Sequence, residues 1–199
     1  MMPGDPSDTP SEPRRRNAAA TRAAILASAR KAFAKSGYDG AGVREIAAGA
    51  GVTAMLVNRY FGSKEQLFAE VAADTMRDPV ILTAETLAAP DFAAALAKAL
   101  IQVTAPGAAP LDGFLILLNS ASSPKAARIG REWVGRGHQS TLETALKGPL
   151  AAERAGVFLA LVAGMQAMRQ MMEIPALAQA DPQALEALLV PMLRALIEP

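Results

Sequence analysis

Apolar residues recur along this chain at helical spacing, and no stretch reads as a run of alternating strands. The first clear stripe is Ile25, Ala29, Ala32 and Phe33, at i, i+4, i+7 and i+8, and Gly37 is placed to end that helix as a C′ residue. A short second helix is predicted from Val43 to Ala50, with Val43, Ile46, Ala47 and Ala50 on one face and a turn at Gly51. Thr53 is a good N-cap for a third helix reaching about Tyr60, which Gly62 breaks. Ser63-Lys64-Glu65-Gln66 then reads as a capping box opening a long fourth helix, kinked or split at Asp78-Pro79.

The same spacing continues to the last residues. Asp91 caps a segment to about Val103, residues 106–110 form a loop, and Leu111 to Asn119 is a short apolar helix. Ser123-Pro124 starts a helix expected to reach Lys147, with Ser123 as N-cap, and Gly148-Pro149 ends it. A long helix is predicted from Leu150 to Ile174. Asp181-Pro182 opens the last one, which carries Pro191 inside it. Half of the residues are hydrophobic but only 5% are aromatic, the excess being Ala and Leu, which favour helix. The fold class expected is all-α, and 199 residues suffice for one large domain or two small ones.

Charge changes the picture only when it is divided. The net charge is +1, yet residues 1–13 carry −3, residues 14–64 carry +8 and residues 65–199 carry −4. A compact basic segment beside a mildly acidic remainder is the footprint of a nucleic-acid-binding module, although a basic solvated surface would look the same. Residues 1–13 hold four prolines, and residues 1–16 are expected to form a disordered tail. The chain has no cysteine, which excludes disulfides, thiolate metal sites and a cysteine nucleophile. Its longest apolar run, residues 157–165, falls far short of the ~20 residues that span a bilayer. The expectation is a soluble, cytoplasmic protein without a cofactor or metal.

The third helix can be tested by angle. If Val57 and Phe61 are its inward anchors, Met55 and Arg59 fall on the opposite side with Asn58 beside them. That face suits a major groove: Asn pairs with adenine, Arg with guanine or a phosphate, and an apolar tip meets a thymine methyl. Spacing alone leaves an ordinary amphipathic helix equally open.

Residues 21–68 resemble the N-terminal domain of the TetR/AcrR (tetracycline-repressor) family of transcriptional regulators. The resemblance is carried by Ile25-Leu26, Ala29 and Phe33, then Gly37-Tyr38, Val43-Arg44-Glu45-Ile46-Ala47 and Ala50-Gly51-Val52-Thr53. It ends on Tyr60-Phe61-Gly62-Ser63-Lys64-Glu65-Gln66-Leu67. Two departures stand out. Ala41-Gly42 replaces the usual Ser or Thr before the second helix, removing its side-chain cap, and Asn58 stands where the family commonly has tyrosine.

The resemblance implies a helix-turn-helix domain over residues 17–63 and a helical effector-binding and dimerisation domain over 64–199. DNA contacts are expected from Arg44, Thr53, Ala54, Met55, Asn58, Arg59, Tyr60 and Lys64, with Tyr60 bracing the recognition helix and Lys64 clamping a phosphate. Arg14 to Arg16 would act as an arm on the duplex or stay a mobile solubilising cluster. The partners implied are a double-stranded palindromic operator, a second copy of the chain and a small effector, and there is no membrane partner. Gly156, Ala160 and Gly164, with Leu185, Leu188, Leu189, Met192 and Leu196, are the expected dimer interface, the alternative being burial within one subunit. The effector pocket is expected among Phe114, Leu117, Trp133, Met165, Met168, Met171 and Met172, whose apolar character suggests a lipophilic ligand. Ligand binding is expected to shift the fourth helix and so the separation of the DNA-reading heads, releasing the operator.

Two other classes stand as alternatives to a regulator. Ser122-Ser123-Pro124-Lys125 is a formal S-x-x-K, but the companion motifs of penicillin-recognising enzymes are missing and Ser123-Pro124 reads better as a helix start. His138 is the only histidine and no Gly-rich phosphate loop occurs, so an enzyme is not expected. A helical adaptor that uses the basic head for protein contacts is the other alternative.

Overall fold

The computed structural model describes residues 12–75 and 79–198, with side chains from Asn17 onward. Every regular element among them is helical: α1 (Glu12–Gly40), α2 (Val43–Gly49), α3 (Ala54–Phe61), α4 (Lys64–Asp74), α5 (Ala84–Leu87), α6 (Phe92–Val103), α7 (Asp112–Ser120), α8 (Pro124–Val134), α9 (Ser140–Ala145), α10 (Ala151–Met165), α11 (Pro175–Ala178) and α12 (Pro182–Ile197). Wider, π-type turns occupy Gly135–Gln139 and Gln166–Met171.

Capping chemistry sets many of the starts. Thr53 Oγ1 accepts from Leu56 N–H at 3.3 Å, Ser63 Oγ from Gln66 N–H at 3.1 Å, and Asp91 Oδ1 from Ala94 N–H at 2.9 Å. Only half of the capping box forms, because Ser63 N–H donates to Phe61 O at 2.9 Å instead of to Gln66. Helix α2 has no side-chain cap, as the loss of a hydroxyl before Val43 implies.

Several elements depart from expectation. Helix α1 starts at Glu12, inside the stretch read as tail; residues 1–11 lie outside the described residues, as do the side chains of Arg14 to Arg16. Helix α4 is short, ending at Asp74, and Asp78 of the expected kink lies outside the described residues. The helix expected from Ser123 to Lys147 is interrupted, because Gly137 adopts φ −105°, ψ −106° between α8 and α9. Ser123 does not cap α8; its hydroxyl donates to Asp39 Oδ1 at 3.2 Å. The long helix after Leu150 is regular only to Met165, and the chain turns at Glu173 with φ 50°.

Two cores form. The first joins α1–α4 to α7 and α8: Ile25, Phe33, Ile46, Val57, Phe61, Leu67, Phe68 and Val71 pack with Ile116, Ala126 and Ile129. The rings of Phe33, Tyr38 and Phe68 cluster inside it, edge-to-face at 5.0 and 5.1 Å about Phe68. The second core is mainly aliphatic, built from Leu96, Leu100, Leu142, Val162, Leu185, Leu189, Leu193 and Ile197 around the ring of Phe158.

Two buried arginines tie the second core together. Arg169 Nη1 donates to Ile101 O at 2.7 Å and Thr104 Oγ1 at 3.2 Å, closing the end of α6; burial lowers its pKa from the ordinary value. Arg154 Nη1 donates to Leu196 O and Ile197 O at 3.1 and 3.2 Å, and its Nη2 to Lys147 O. Both place a cation on helix-terminal carbonyls, where the backbone dipoles favour it.

Candidate nucleic-acid interface and internal cavity

Helix α3 turns Val57 and Phe61 inward, at 2% and 4% exposure, and Met55 outward at 81%. Asn58 and Arg59 are exposed beside Met55. The helix thus has one buried edge, and one free edge with an apolar tip, an amide and a guanidinium. Thr53 is exposed at the start of the same helix, its oxygen engaged as cap, while Ala54 and Tyr60 are half-buried and pack on the first core.

The basic segment is not uniformly free. Arg44 and Arg59 are exposed, with Lys31 and Lys35 exposed on α1. Arg22, by contrast, lies over the Phe61 ring, 4.8 Å from its centroid, and pairs with Glu70. Lys64 is half-buried with its ammonium 4.8 Å over the Tyr38 ring, which holds the charge at the α3–α4 junction. Burial, then Glu65 and Asp39, push the Tyr38 phenol up from 10.0, so it stays protonated at neutral pH.

Behind the head lies a cavity of about 200 Å³. Helix α7 supplies one wall through Asp112, Gly113, Phe114 and Leu117. Trp133 and Val134 of α8, Phe158, Leu159, Val162 and Ala163 of α10, and the segment 79–82 supply the others. Its polar groups are few. Arg30, reaching in from α1, donates through Nε to Asp112 Oδ2 at 2.7 Å and stands 3.6 Å from Asp74. Burial pushes the His138 imidazole below its ordinary 6.5, so it is neutral at pH 7, and Gln166 accepts from Leu111 N–H at 3.0 Å. Trp133 Nε1 is buried without a hydrogen-bond partner among the described residues. Gly113 allows this packing: a Cβ there would stand 3.0 Å from the Trp133 ring and 3.3 Å from Thr75 Oγ1.

Of the expected pocket residues, Phe114, Leu117 and Trp133 line this cavity. The methionines do not. Met165 is buried in the second core, while Met168, Met171 and Met172 are exposed at 41, 44 and 65%. The reason is rotational: the walls come from the face of α10 carrying Phe158 and Val162, continued by Gln166 at the start of the π-type turn, and the later methionines fall on other faces. Arg30, Gly113, His138 and Gln166 went unforeseen. Their only link is long-range packing, which leaves no local mark.

The expected dimer face also divides. Leu185 and Leu189 are buried at 5% and 6% within their own subunit, packed by α6 and α10, so they are corrected to core, and Leu196 packs partly on that core. Leu188 and Met192 stand out at 65% and 58%, as does Val157 at 57%. Ala160 and Gly164 are exposed, and nothing lies within 4 Å of a Cβ built at Gly156 or Gly164. The stripe read as one face wraps two, because apolar residues cover more than half the turn of α12.

Among known proteins, the profile of "Bacterial regulatory proteins, tetR family" matches residues 25–71, and that of "Tetracyclin repressor-like, C-terminal domain" matches residues 90–197. The HTH-type transcriptional repressor AcnR of Corynebacterium jeikeium is 41% identical over 61 residues, spanning 31% of this chain and 32% of that relative. Two solved structures are similar over nearly their whole length. NalD, the secondary repressor of the MexAB-OprM multidrug efflux pump in Pseudomonas aeruginosa, is 23% identical with a TM-score of 0.61, covering 92% of this chain and 98% of its own. AibR, in complex with isovaleryl coenzyme A and operator DNA, is 19% identical with a TM-score of 0.60, covering 90% and 99%. At these identities the two structures establish the shared fold.

Proposed function

Because this chain belongs to the TetR family, whose C-terminal profile covers more than half of it, we propose that it is a ligand-responsive repressor. As a family member it is a transcriptional regulator and not an enzyme. In the function proposed, a homodimer binds a palindromic operator through two copies of α3 and is released by a small lipophilic effector in the cavity behind the head.

The observation that carries this reading is the outward edge of α3. Met55, Asn58 and Arg59 project from a helix whose other edge is locked by Val57 and Phe61, so the groove-reading side chains sit on a rigid support. Arg44 and Lys64 flank that edge with positive charge suited to phosphates. Repression is favoured by the repressors AcnR and NalD, and an operator by the DNA bound to AibR. A second copy is favoured by the exposed apolar faces of α10 and α12, around Val157, Ala160, Gly164, Leu188 and Met192. Two-fold symmetry would then set half-sites about one helical turn apart, ~34–36 Å. The cavity walls are mostly aliphatic and aromatic and their one guanidinium is already shared by two carboxylates, which suits an uncharged apolar molecule. An acceptor on that molecule would satisfy Trp133 Nε1.

Fluorescence anisotropy on DNA flanking the chain's own gene, repeated across salt, tests the reading. A regulator shows a steep salt dependence and a preference for one palindrome. An adaptor with a basic head shows neither.

A further inference from the structure

We propose that the effector site has a second compartment, a groove between α7 and α8, and that its ligand is an amphiphile with an apolar chain in the cavity and an anionic end on Arg131. The inference rests on the effector reading above and extends it: the uncharged apolar occupant of the cavity becomes one end of a longer molecule. The groove, of about 370 Å³, follows the seam of the two helices. Ser120 and Ala121 of α7 line it with Ala127, Gly130 and Arg131 of α8, and Gln139 joins them from the turn after α8. Ala126, Gly130 and Val134 recur at i, i+4 and i+8, so one face of α8 supplies the floor.

Leu117 and Val134 belong to the walls of both spaces. The cavity and the groove thus meet at two half-buried aliphatic side chains. Gly130 makes room at this boundary, since a Cβ there would stand 2.8 Å from Leu117 Cδ2. Val134 ends the regular part of α8, directly before Gly135 and the non-helical Gly137, where the backbone is least constrained. A half-buried leucine changes between staggered rotamers at little cost, so a chain passes where Leu117 now stands.

The two spaces differ in chemistry. The cavity's guanidinium, on Arg30, is already shared by Asp112 and Asp74. In the groove, Arg131 is exposed and pairs with no carboxylate among the described residues, although Arg128, three residues earlier, pairs with both Glu65 and Glu132. Arg131 lies three residues before Val134, ~4.5 Å along the helix axis. A head group whose chain enters at Val134 is within its reach. The planar guanidinium takes a carboxylate through two parallel hydrogen bonds, and the half-buried Gln139 adds an amide to the same groove. A compact neutral ligand would leave both groups unused.

Trp133 is the only tryptophan of the chain and lines the cavity, so its fluorescence reports occupancy directly. Decanoate and decanol are the probes, equal in chain and different in charge at neutral pH. In the full chain both should change the Trp133 signal saturably, decanoate binding about tenfold more tightly. Arg131→Glu should abolish that preference while changing decanol affinity less than about twofold, and Arg131→Gln, the milder variant, should reduce it in the same direction. Ala127→Leu fills the groove and not the cavity, and should weaken both probes about fivefold. Equal affinity for the two probes, a preference kept in both Arg131 variants, unchanged binding in the folded Ala127→Leu protein, or no saturable response of Trp133 overturns the second compartment. The effector reading is judged separately, by adding decanoate to the operator complex. Decanoate that binds as expected and leaves the operator bound overturns the effector role and spares the groove as a ligand site.

Discussion

The head and the body of this protein use apolar residues in opposite ways. In the head, α1 to α4 commit nearly all of theirs to a closed core around Phe33, Tyr38 and Phe68, and Met55 is the one large apolar side chain left far outside. In the body, Val157, Met168, Met171, Met172, Leu188 and Met192 remain exposed, and a cavity stays open beneath α7. The body also contains two π-type turns and left-handed non-glycine residues at Leu150 and Glu173. A closed core fixes one shape; open faces and loose turns leave shape to be completed by what binds. The head reads as a rigid tool and the body as its adjustable mount.

The largest effect that would sharpen this contrast is on stability. Phe33→Ala, at a fully buried ring in the aromatic cluster, should cost ~3–5 kcal/mol, whereas Phe158→Ala, beside an existing cavity, should fall near or below ~3 kcal/mol. Urea denaturation of both variants measures the difference, and equal losses would break the contrast.

Next comes association. Leu188→Asp combined with Met192→Asp should convert a dimer into a monomer in sedimentation velocity, since burying each side chain contributes ~1.5–3 kcal/mol. Met55→Asp, on the head, should leave the dimer intact while weakening operator binding. If both changes alter association, the exposed residues of head and body are not different in kind.

A smaller effect belongs to the recognition edge. Arg59→Ala should lower operator affinity by ~1–3 kcal/mol and relax specificity at one position. Lys64→Ala should weaken all sequences alike and reduce the salt slope by about 1. Binding isotherms unchanged in both variants would remove α3 from the interface.

The smallest is a pH effect confined to the body. The folded-state pKa of His138 is lowered by burial, so the unfolded chain takes up the proton first as pH falls below 6.5. Stability is then unaffected by this group above that value and declines beneath it, towards the lowered folded-state pKa. His138→Gln should flatten the profile of urea midpoints between pH 5 and 7.5; an unchanged slope would place the effect elsewhere.

Sequence was most informative where structure is local. Stripe spacing located Ile25, Ala29 and Phe33, and the caps at Thr53, Ser63, Asp91 and Asp181 all accept backbone amides. The orientation of α3 followed from two anchors four residues apart. Where an outcome depended on which distant helix arrives, periodicity was silent. It could not tell that α10 would turn Phe158 and Val162, not the methionines, towards the cavity, nor that Leu185 and Leu188 would part company. One signal was present but unread: Gly135 and Gly137, two glycines around one arginine, mark the break between α8 and α9.

Arg154 has a consequence for biosynthesis. Its guanidinium waits in the body for carbonyls of Leu196 and Ile197, more than forty positions downstream, while the head's core needs nothing beyond Ile129. On a ribosome the DNA-reading end can consolidate as soon as residue 129 clears the exit tunnel, and the mount must stay unfinished until residue 197 does. In that interval a nascent chain presents a mature reading surface on an incomplete frame.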